Sequence, residues 1–162
     1  MIESQPTHTT ALLKRGGADD LDAVMEVMTA AFDPAFGEAW TRSQCAGILP
    51  MGGVALTLAR DAATTRPLGF SLFRTVADES ELLLIAVEPD SRGRGVGRQL
   101  LEEFMQHAKA SGATRLHLEV RDGNPAVSIY QQAGFAPVRR RRTYYRGSDH
   151  NQFDALTFAR DI

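Results

Sequence analysis

The sequence predicts an α+β fold, a mixed central sheet of about six to seven strands flanked by about four helices. Three observations carry the prediction. The apolar run Leu82-Leu83-Leu84-Ile85-Ala86-Val87 leads through a glycine-rich turn, Ser91 to Arg98, into an amphipathic helix. A second apolar strand, Arg115 to Val120, follows that helix, so a right-handed crossover sets the two strands parallel. Two strands precede this unit as a meander and two follow it, which makes the sheet mixed.

Taken in order, Met1 to Thr10 is polar and reads as a loose lead-in. Ala11 to Arg15 reads as a first strand, closed by Gly16-Gly17. Asp19 or Asp20 can cap a helix with Leu21, Val24, Met25, Met28 and Phe32 on one face, ended by Asp33-Pro34. An aromatic, loop-like segment with Phe36, Glu38 and Trp40 follows. Thr41-Arg42-Ser43-Gln44 is a capping box for a short helix running to about Leu49. Val54–Ala59 and Leu68–Val76 read as strands joined by the turn Asp61–Pro67, and Glu81–Val87 continues the meander. The helix after the glycine turn buries Val96, Leu100, Leu101, Phe104 and Ala108 and stops at Ser111-Gly112. Asn124-Pro125 reads as N-cap and first residue of a helix with Val127, Ile129, Tyr130 and Ala133, ended by Gly134. Strands near Ala136–Arg142 and Phe153–Ala159 close the chain.

Composition narrows the function. The 162 residues suit a single domain, residues 1–162, with a substantial core. Apolar residues make up 43% and charged residues 23%, the balance of a soluble globular chain. No apolar run approaches the roughly 20 residues of a membrane helix, and the N-terminus lacks a secretory segment. One cysteine, Cys45, forms no internal disulfide and fits a reducing, cytoplasmic setting. A net charge of −2 argues against broad attachment to nucleic acid. No membrane, nucleic acid or metal is expected as a partner.

The glycine turn is a phosphate cradle. The first amides of a helix have no partner inside it and carry the positive end of the helix dipole. Glycines let that backbone approach a ligand, and arginines add charge. Gly93, Gly95 and Gly97 fall at every second position, unlike the dinucleotide fingerprint, and Arg98-Gln99 stands where a triphosphate loop needs Lys-Ser or Lys-Thr. A solvated Gly/Arg turn is the plain alternative, which the strand before and the helix after make the weaker one.

The pattern Arg92-x-x-Gly95-x-Gly97 resembles the acyl-CoA pyrophosphate loop of the GNAT acetyltransferase superfamily. A second block, Asn124-Pro125-Ala126-Val127-Ser128-Ile129-Tyr130-Gln131-Gln132-Ala133-Gly134-Phe135, resembles its asparagine–tyrosine motif, with Pro125 as an insertion. Together the motifs cover roughly residues 54–159. The resemblance implies an acyltransferase with acetyl-CoA as cosubstrate, whose pantetheine arm lies between two splayed parallel strands. Backbone groups of Ile85, Ala86 and Val87 would bond the arm, and Asn124 would contact it. Backbone amides of Arg92, Gly93, Arg94, Gly95, Val96, Gly97 and Arg98 would hold the pyrophosphate. Tyr130 would protonate the leaving thiolate.

Within that superfamily the chain resembles bacterial ribosomal-protein-alanine N-acetyltransferases. The matching pieces are Leu118-Glu119-Val120-Arg121-Asp122-Gly123-Asn124, Arg141-Arg142-Thr143-Tyr144-Tyr145 and Asp154-Ala155-Leu156. Phe36 to Thr41 occupies the place of the substrate loop. This implies Glu119 as general base, Trp40, Tyr144 and Tyr145 as acceptor-binding residues, and the α-amine of a protein N-terminus, a ribosomal protein's alanine, as acceptor. Arg146 and Phe153 depart from that pattern, near the peptide groove.

Physical reasoning adds to the resemblance. Glu119 alternates with Leu118 and Val120, so it faces away from them, and an apolar shell there would raise its proton affinity. His117 shares that face. An α-amine titrates near ~7.7–8.0 and a lysine near ~10.4, a gap of about 3.5 kcal/mol, so one carboxylate suffices for the former. In Arg139-Arg140-Arg141-Arg142 at most alternate side chains share a face, which favours a solvated edge over an RNA stripe. Two other functions remain open at this point. One is a small-amine acetyltransferase for aminoglycosides or polyamines, marked by a strongly acidic cleft. The other is an acyl-CoA sensor without transfer, disfavoured by the presence of both Glu119 and Tyr130.

Overall fold

Alternating apolar residues build seven strands, and two helical faces cover them. The computed structural model describes residues 11–162, so the lead-in expected over residues 1–10 lies outside the described residues. The strands are β1 (Ala11–Gly16), β2 (Val54–Asp61), β3 (Pro67–Val76), β4 (Glu79–Val87), β5 (Arg115–Arg121), β6 (Ala136–Arg146) and β7 (Gln152–Asp161). The helices are α1 (Leu21–Ala31), α2 (Arg42–Ile48), α3 (Val96–Ala110) and α4 (Val127–Gln132). The sheet order is β1-β2-β3-β4-β5-β7-β6, with β4 and β5 parallel and every other neighbouring pair antiparallel. None of the helices among the described residues is long and apolar enough to cross a membrane.

On one face α3 buries Leu101, Phe104 and Ala108 against Phe73, Leu82, Leu116, Leu118 and Phe158, with Tyr130 of α4 joining them. On the other, Val24, Val27 and Met28 of α1 and Cys45 of α2 cover Leu56, Leu58, Phe70, Leu72 and Leu84. Each fully buried Leu or Phe contributes on the order of 1.5–3 kcal/mol.

Leu82 and Leu84 belong to opposite faces, although a regular strand points residues i and i+2 the same way. The pairing explains it: Leu72 opposes Leu84 and Phe73 opposes Leu82, so Leu83 is an extra residue on β4. The parallel ladder to β5 ends at the same place. It runs from Glu79↔Arg115 to Leu82↔Leu118, and beyond Leu82 the two strands part. The bulge therefore sits at the mouth of the splay.

Three local expectations change. Asp20 stands at the N-cap of α1, but its Oδ2 accepts from the Gly17 amide (2.9 Å) within a preceding 3-10 turn. The helix expected from Asn124-Pro125 begins at Val127. Asn124 Oδ1 accepts the Ala126 N–H (2.8 Å) and its carbonyl accepts that of Val127 (3.1 Å), a turn completed before the helix. Strand β6 runs to Arg146, past the expected Arg142, and carries the paired tyrosines. It is interrupted there: Arg142, Thr143 and Tyr144 together oppose Asp154, and Thr143 adopts a left-handed φ of 51°. The Thr143 N–H donates to Asp154 Oδ1 (2.9 Å), which anchors the bulge.

Candidate active site

The gap between β4 and β5 opens into a cavity of about 150 Å³. Its walls are Leu82 to Ile85 of β4, Leu118 to Val120 of β5 and Tyr130 of α4. The remaining sides come from Glu38 and Trp40 of the loop before α2 and from Tyr144 and Tyr145 of β6.

On the β4 side the phase of the ladder decides which backbone groups reach the gap. Glu88 N–H donates to Leu68 carbonyl (2.8 Å), so Phe70↔Ala86 and Leu72↔Leu84 are the pairs that exchange hydrogen bonds. Ile85 and Val87 therefore turn their N–H and C=O groups away from β3, toward the splay. Ala86 does not: its backbone groups face β3, which corrects the expectation that all three bond an arm in the gap.

Just beyond β4, Gly93 and Gly95 hold left-handed φ angles of 77° and 83°. A Cβ at either would meet nothing within 4 Å, so the space over the loop is open. Gly95 is the N-cap of α3, and no side chain among the described residues caps it. The amides of Val96, Gly97 and Arg98 thus start the helix uncapped, at the positive end of its dipole. A Cβ on Gly97 would make ordinary contacts with Val87 (3.6 Å) and Ile129 (3.8 Å), so packing does not require glycine there. Arg94 is exposed on the loop, and Arg98 reaches Gln132 (3.2 Å) to tie α3 to α4.

Arg92 departs from expectation. Its amide is engaged by the Pro89 carbonyl (3.3 Å), and its guanidinium donates to the carbonyls of Val87 (3.3 Å) and Ala31 (2.8 Å). It braces the loop against β4 and α1.

On the β5 side Glu119 faces the cavity while Leu118 and Val120 pack under α3 and α4. The apolar shell expected around Glu119 is absent, because its own face carries polar neighbours. Arg141 Nε meets Glu119 Oε1 at 2.7 Å, and burial and then the Glu119 carboxylate raise the pKa of the nearby Tyr144 hydroxyl. His117 Nε2 lies 3.6 Å from Glu81 Oε2, and that carboxylate raises its pKa against the opposing effect of burial.

Tyr130 is 5% exposed. Burial, reinforced by Tyr145 and Glu38, pushes its phenol well above the ordinary range, so it stays protonated. Burial, and then Glu38 and Glu119, do the same to Tyr145. Adjacent strand residues ordinarily point to opposite faces, yet Tyr144 and Tyr145 both line the cavity, edge to face at 5.0 Å. The bulge at Arg142–Tyr144 makes that possible.

Asn124 lines the cavity, and its Nδ2 donates to Glu38 Oε2 (2.7 Å). Glu38 lines the cavity, although the sequence patterns did not single it out. Its Oε1 accepts from Arg121 Nε (2.9 Å), both side chains are about nine-tenths buried, and the guanidinium stacks on Phe36 (3.8 Å). Its place in a segment likened to a substrate loop was the available signal. Phe153, expected at the peptide groove, instead packs edge-on against Phe36 (5.4 Å). Of the arginine run, Arg140 bridges Asp122 (2.7 Å) and Asp154 (2.8 Å) and Arg141 holds Glu119, so two of the four serve internal carboxylates.

A splayed parallel pair with a glycine loop at its head and an acid–tyrosine pair across the gap defines an acyl-transfer class. In agreement, residues 21–135 match the acetyltransferase (GNAT) family, and the chain belongs to it. Among its relatives, the ribosomal protein bS18-alanine N-acetyltransferase of Salmonella typhimurium is 38% identical over 101 residues, 62% of this chain and 68% of that protein. The N-alpha-acetyltransferase RimI of Mycobacterium tuberculosis is 42% identical over 91 residues, 56% of this chain and 54% of that protein. The crystal structure of the ribosomal-protein-S18-alanine N-acetyltransferase from Escherichia coli superposes with a TM-score of 0.83 at 28% identity, covering 94% of both chains.

Proposed function

We propose that the protein is an acetyl-CoA-dependent N-acetyltransferase acting on the α-amine of a protein N-terminus, with a ribosomal protein's alanine as the favoured acceptor. The observation that carries this reading is the pairing of Glu119 and Tyr130 across a cavity headed by the uncapped amides of Val96–Arg98. Acetyl-CoA supplies the thioester, whose C–S bond breaks as the C–N bond to the acceptor forms.

The chain's own groups do the rest. Ile85 and Val87 offer strand-edge hydrogen bonds to an amide-bearing arm, and the loop from Gly93 to Arg98 receives the pyrophosphate. Glu119 takes one proton from the attacking amine, and the Tyr130 hydroxyl gives one to the departing sulfur, so the proton count balances. Arg141 aims the Glu119 carboxylate. Trp40, Tyr144 and Tyr145 supply the aromatic walls for the first residues of an extended peptide.

The electrostatics favour a peptide over a polyamine or aminoglycoside. Three carboxylates line the cavity, but Glu38 and Glu119 are each matched by an arginine, so the cleft is not strongly acidic. The relatives' names point the same way. Mass spectrometry of acetyl transfer to Ala-, Ser-, Met- and Lys-bearing peptides, beside polyamines and aminoglycosides, tests the assignment. Acetyl on the α-amine of Ala-starting peptides is the expected result. Transfer to small amines alone, or only to internal lysines, overturns it.

A further inference from the structure

Beside the acid–tyrosine pair lies a second polar cluster that the transfer chemistry leaves unused. Glu38 sits on the loop between α1 and α2, and its carboxylate joins two elements distant in sequence. One oxygen takes Arg121 Nε at the exit of β5, 83 residues away, and the other takes Asn124 Nδ2 in the turn before α4. A carboxylate only accepts, so it dictates which end of the Asn124 amide faces it. That leaves Asn124 Oδ1 toward the Ala126 N–H (2.8 Å), the bond that shapes the turn into α4. Tyr130 follows one helical turn later, its N–H bonded to the Ala126 carbonyl (3.3 Å).

The same loop is held to the β6–β7 hairpin. Ser148 N–H donates to Pro34 carbonyl (3.0 Å), and Phe36 sits edge-on to Phe153. Gly37, at a left-handed φ of 67°, passes so near the Arg146 carbonyl that a Cβ would collide with it. The clasp therefore fixes both the acceptor loop that carries Trp40 and the helix that carries Tyr130.

We propose that Glu38 is a positioning residue for the transfer reaction. Its carboxylate locks the acceptor loop to the end of β5 and orients Asn124, and so sets where the acceptor peptide and Tyr130 stand. This rests on the peptide-acceptor reading above.

Two variants test it. Glu38→Gln offers one acceptor and one donor where two acceptors are needed, and removes the charge opposite buried Arg121. Glu38→Asp keeps that charge, and with it the fold, but draws the carboxylate back from Asn124. With an Ala-starting peptide and acetyl-CoA, Glu38→Gln is expected to lower kcat/KM at least tenfold. Most of the loss should fall in the peptide KM, with acetyl-CoA affinity within twofold of wild type. Glu38→Asp should raise the peptide KM at least threefold. Trp40 is the sole tryptophan, so it reports the loop directly, and its iodide quenching constant should rise at least twofold in both variants.

Peptide KM and Trp40 quenching within 1.5-fold of wild type in Glu38→Asp would reduce Glu38 to a stability role and overturn the proposal, whatever happens to Tm. So would a parallel loss of acetyl-CoA affinity. If Glu38→Gln fails to fold, Glu38→Asp decides alone. Wild-type protein that acetylates no peptide would defeat the functional reading itself, a result separable from unchanged variants.

Discussion

The β4–α3 bank of the cavity is made of backbone, with strand-edge groups of Ile85 and Val87, left-handed glycines and the first amides of a helix. The opposite bank is made of side chains held by other side chains. Glu38 is held by Arg121 and Asn124, Glu119 by Arg141, and the tyrosines by a bulge that Asp154 anchors. The difference teaches where each bank's specificity lives. On the proposed reading, the backbone bank receives an invariant cosubstrate and is written in a short contiguous segment. The side-chain bank would receive the variable acceptor, and it draws on residues more than 80 positions apart.

If the banks are separable, single substitutions should move one constant and leave the other. The largest effect is expected where they meet. Tyr130→Phe and Glu119→Gln should each lower kcat by roughly 100- to 10,000-fold, the usual contribution of a positioned acid or base. Acetyl-CoA affinity should stay within twofold in both, as read by steady-state kinetics beside calorimetry. A kcat within twofold of wild type would mean that positioning alone drives the transfer.

Next comes the backbone bank. Gly95→Val forces a β-branched residue to φ 83°, where an L-residue costs about 1–2 kcal/mol, and fills the open space above the loop. Acetyl-CoA affinity should drop at least tenfold while peptide KM holds. Gly97→Ala sharpens the point, since the added Cβ meets only ordinary contacts. Its Tm should match wild type, and any loss of acetyl-CoA affinity then reports ligand approach.

The pH profile has a smaller and more diagnostic signature. Burial and neighbouring charge raise the Tyr130 pKa above the ordinary value of about 10, so the acid form persists below it. The rate should climb as the acceptor amine loses its proton and show no decline up to about pH 9.5. A fall near pH 8 in wild type that vanishes in Tyr130→Phe would contradict this protonation state. The smallest effect belongs to Arg142→Gln, within the bulge but outside the cavity lining, which should leave both KM values within twofold.

The same division explains what the sequence made legible. The strand–glycine loop–helix unit is local, so its residues, α3 and the parallel neighbour β5 follow from periodicity and turn chemistry. Glu119 and Tyr130 were identifiable because each sits in a contiguous motif. Glu38 was not, since a buried ion pair exists only once Arg121 is brought to it by the fold. The bulge at Leu83 was hidden for a related reason. Within a continuous apolar run no polar residue marks the change of phase, so Leu82 and Leu84 read as one face. At Arg142–Tyr144 alternation alone would set the tyrosines on opposite faces, and the bulge anchored by the Asp154–Thr143 bond overrides it. Asn124 was recognised as a turn former, but its outward partner lay on a distant loop.

The central claim, that the uncapped amides after Arg92 and the gap between β4 and β5 receive acetyl-CoA, is tested most directly by titrating the wild-type protein with acetyl-CoA in a calorimeter. Saturable binding at one site per chain, weakened at least tenfold in Gly95→Val, is the expected result. The absence of saturable binding, or equal binding by Gly95→Val, would contradict it.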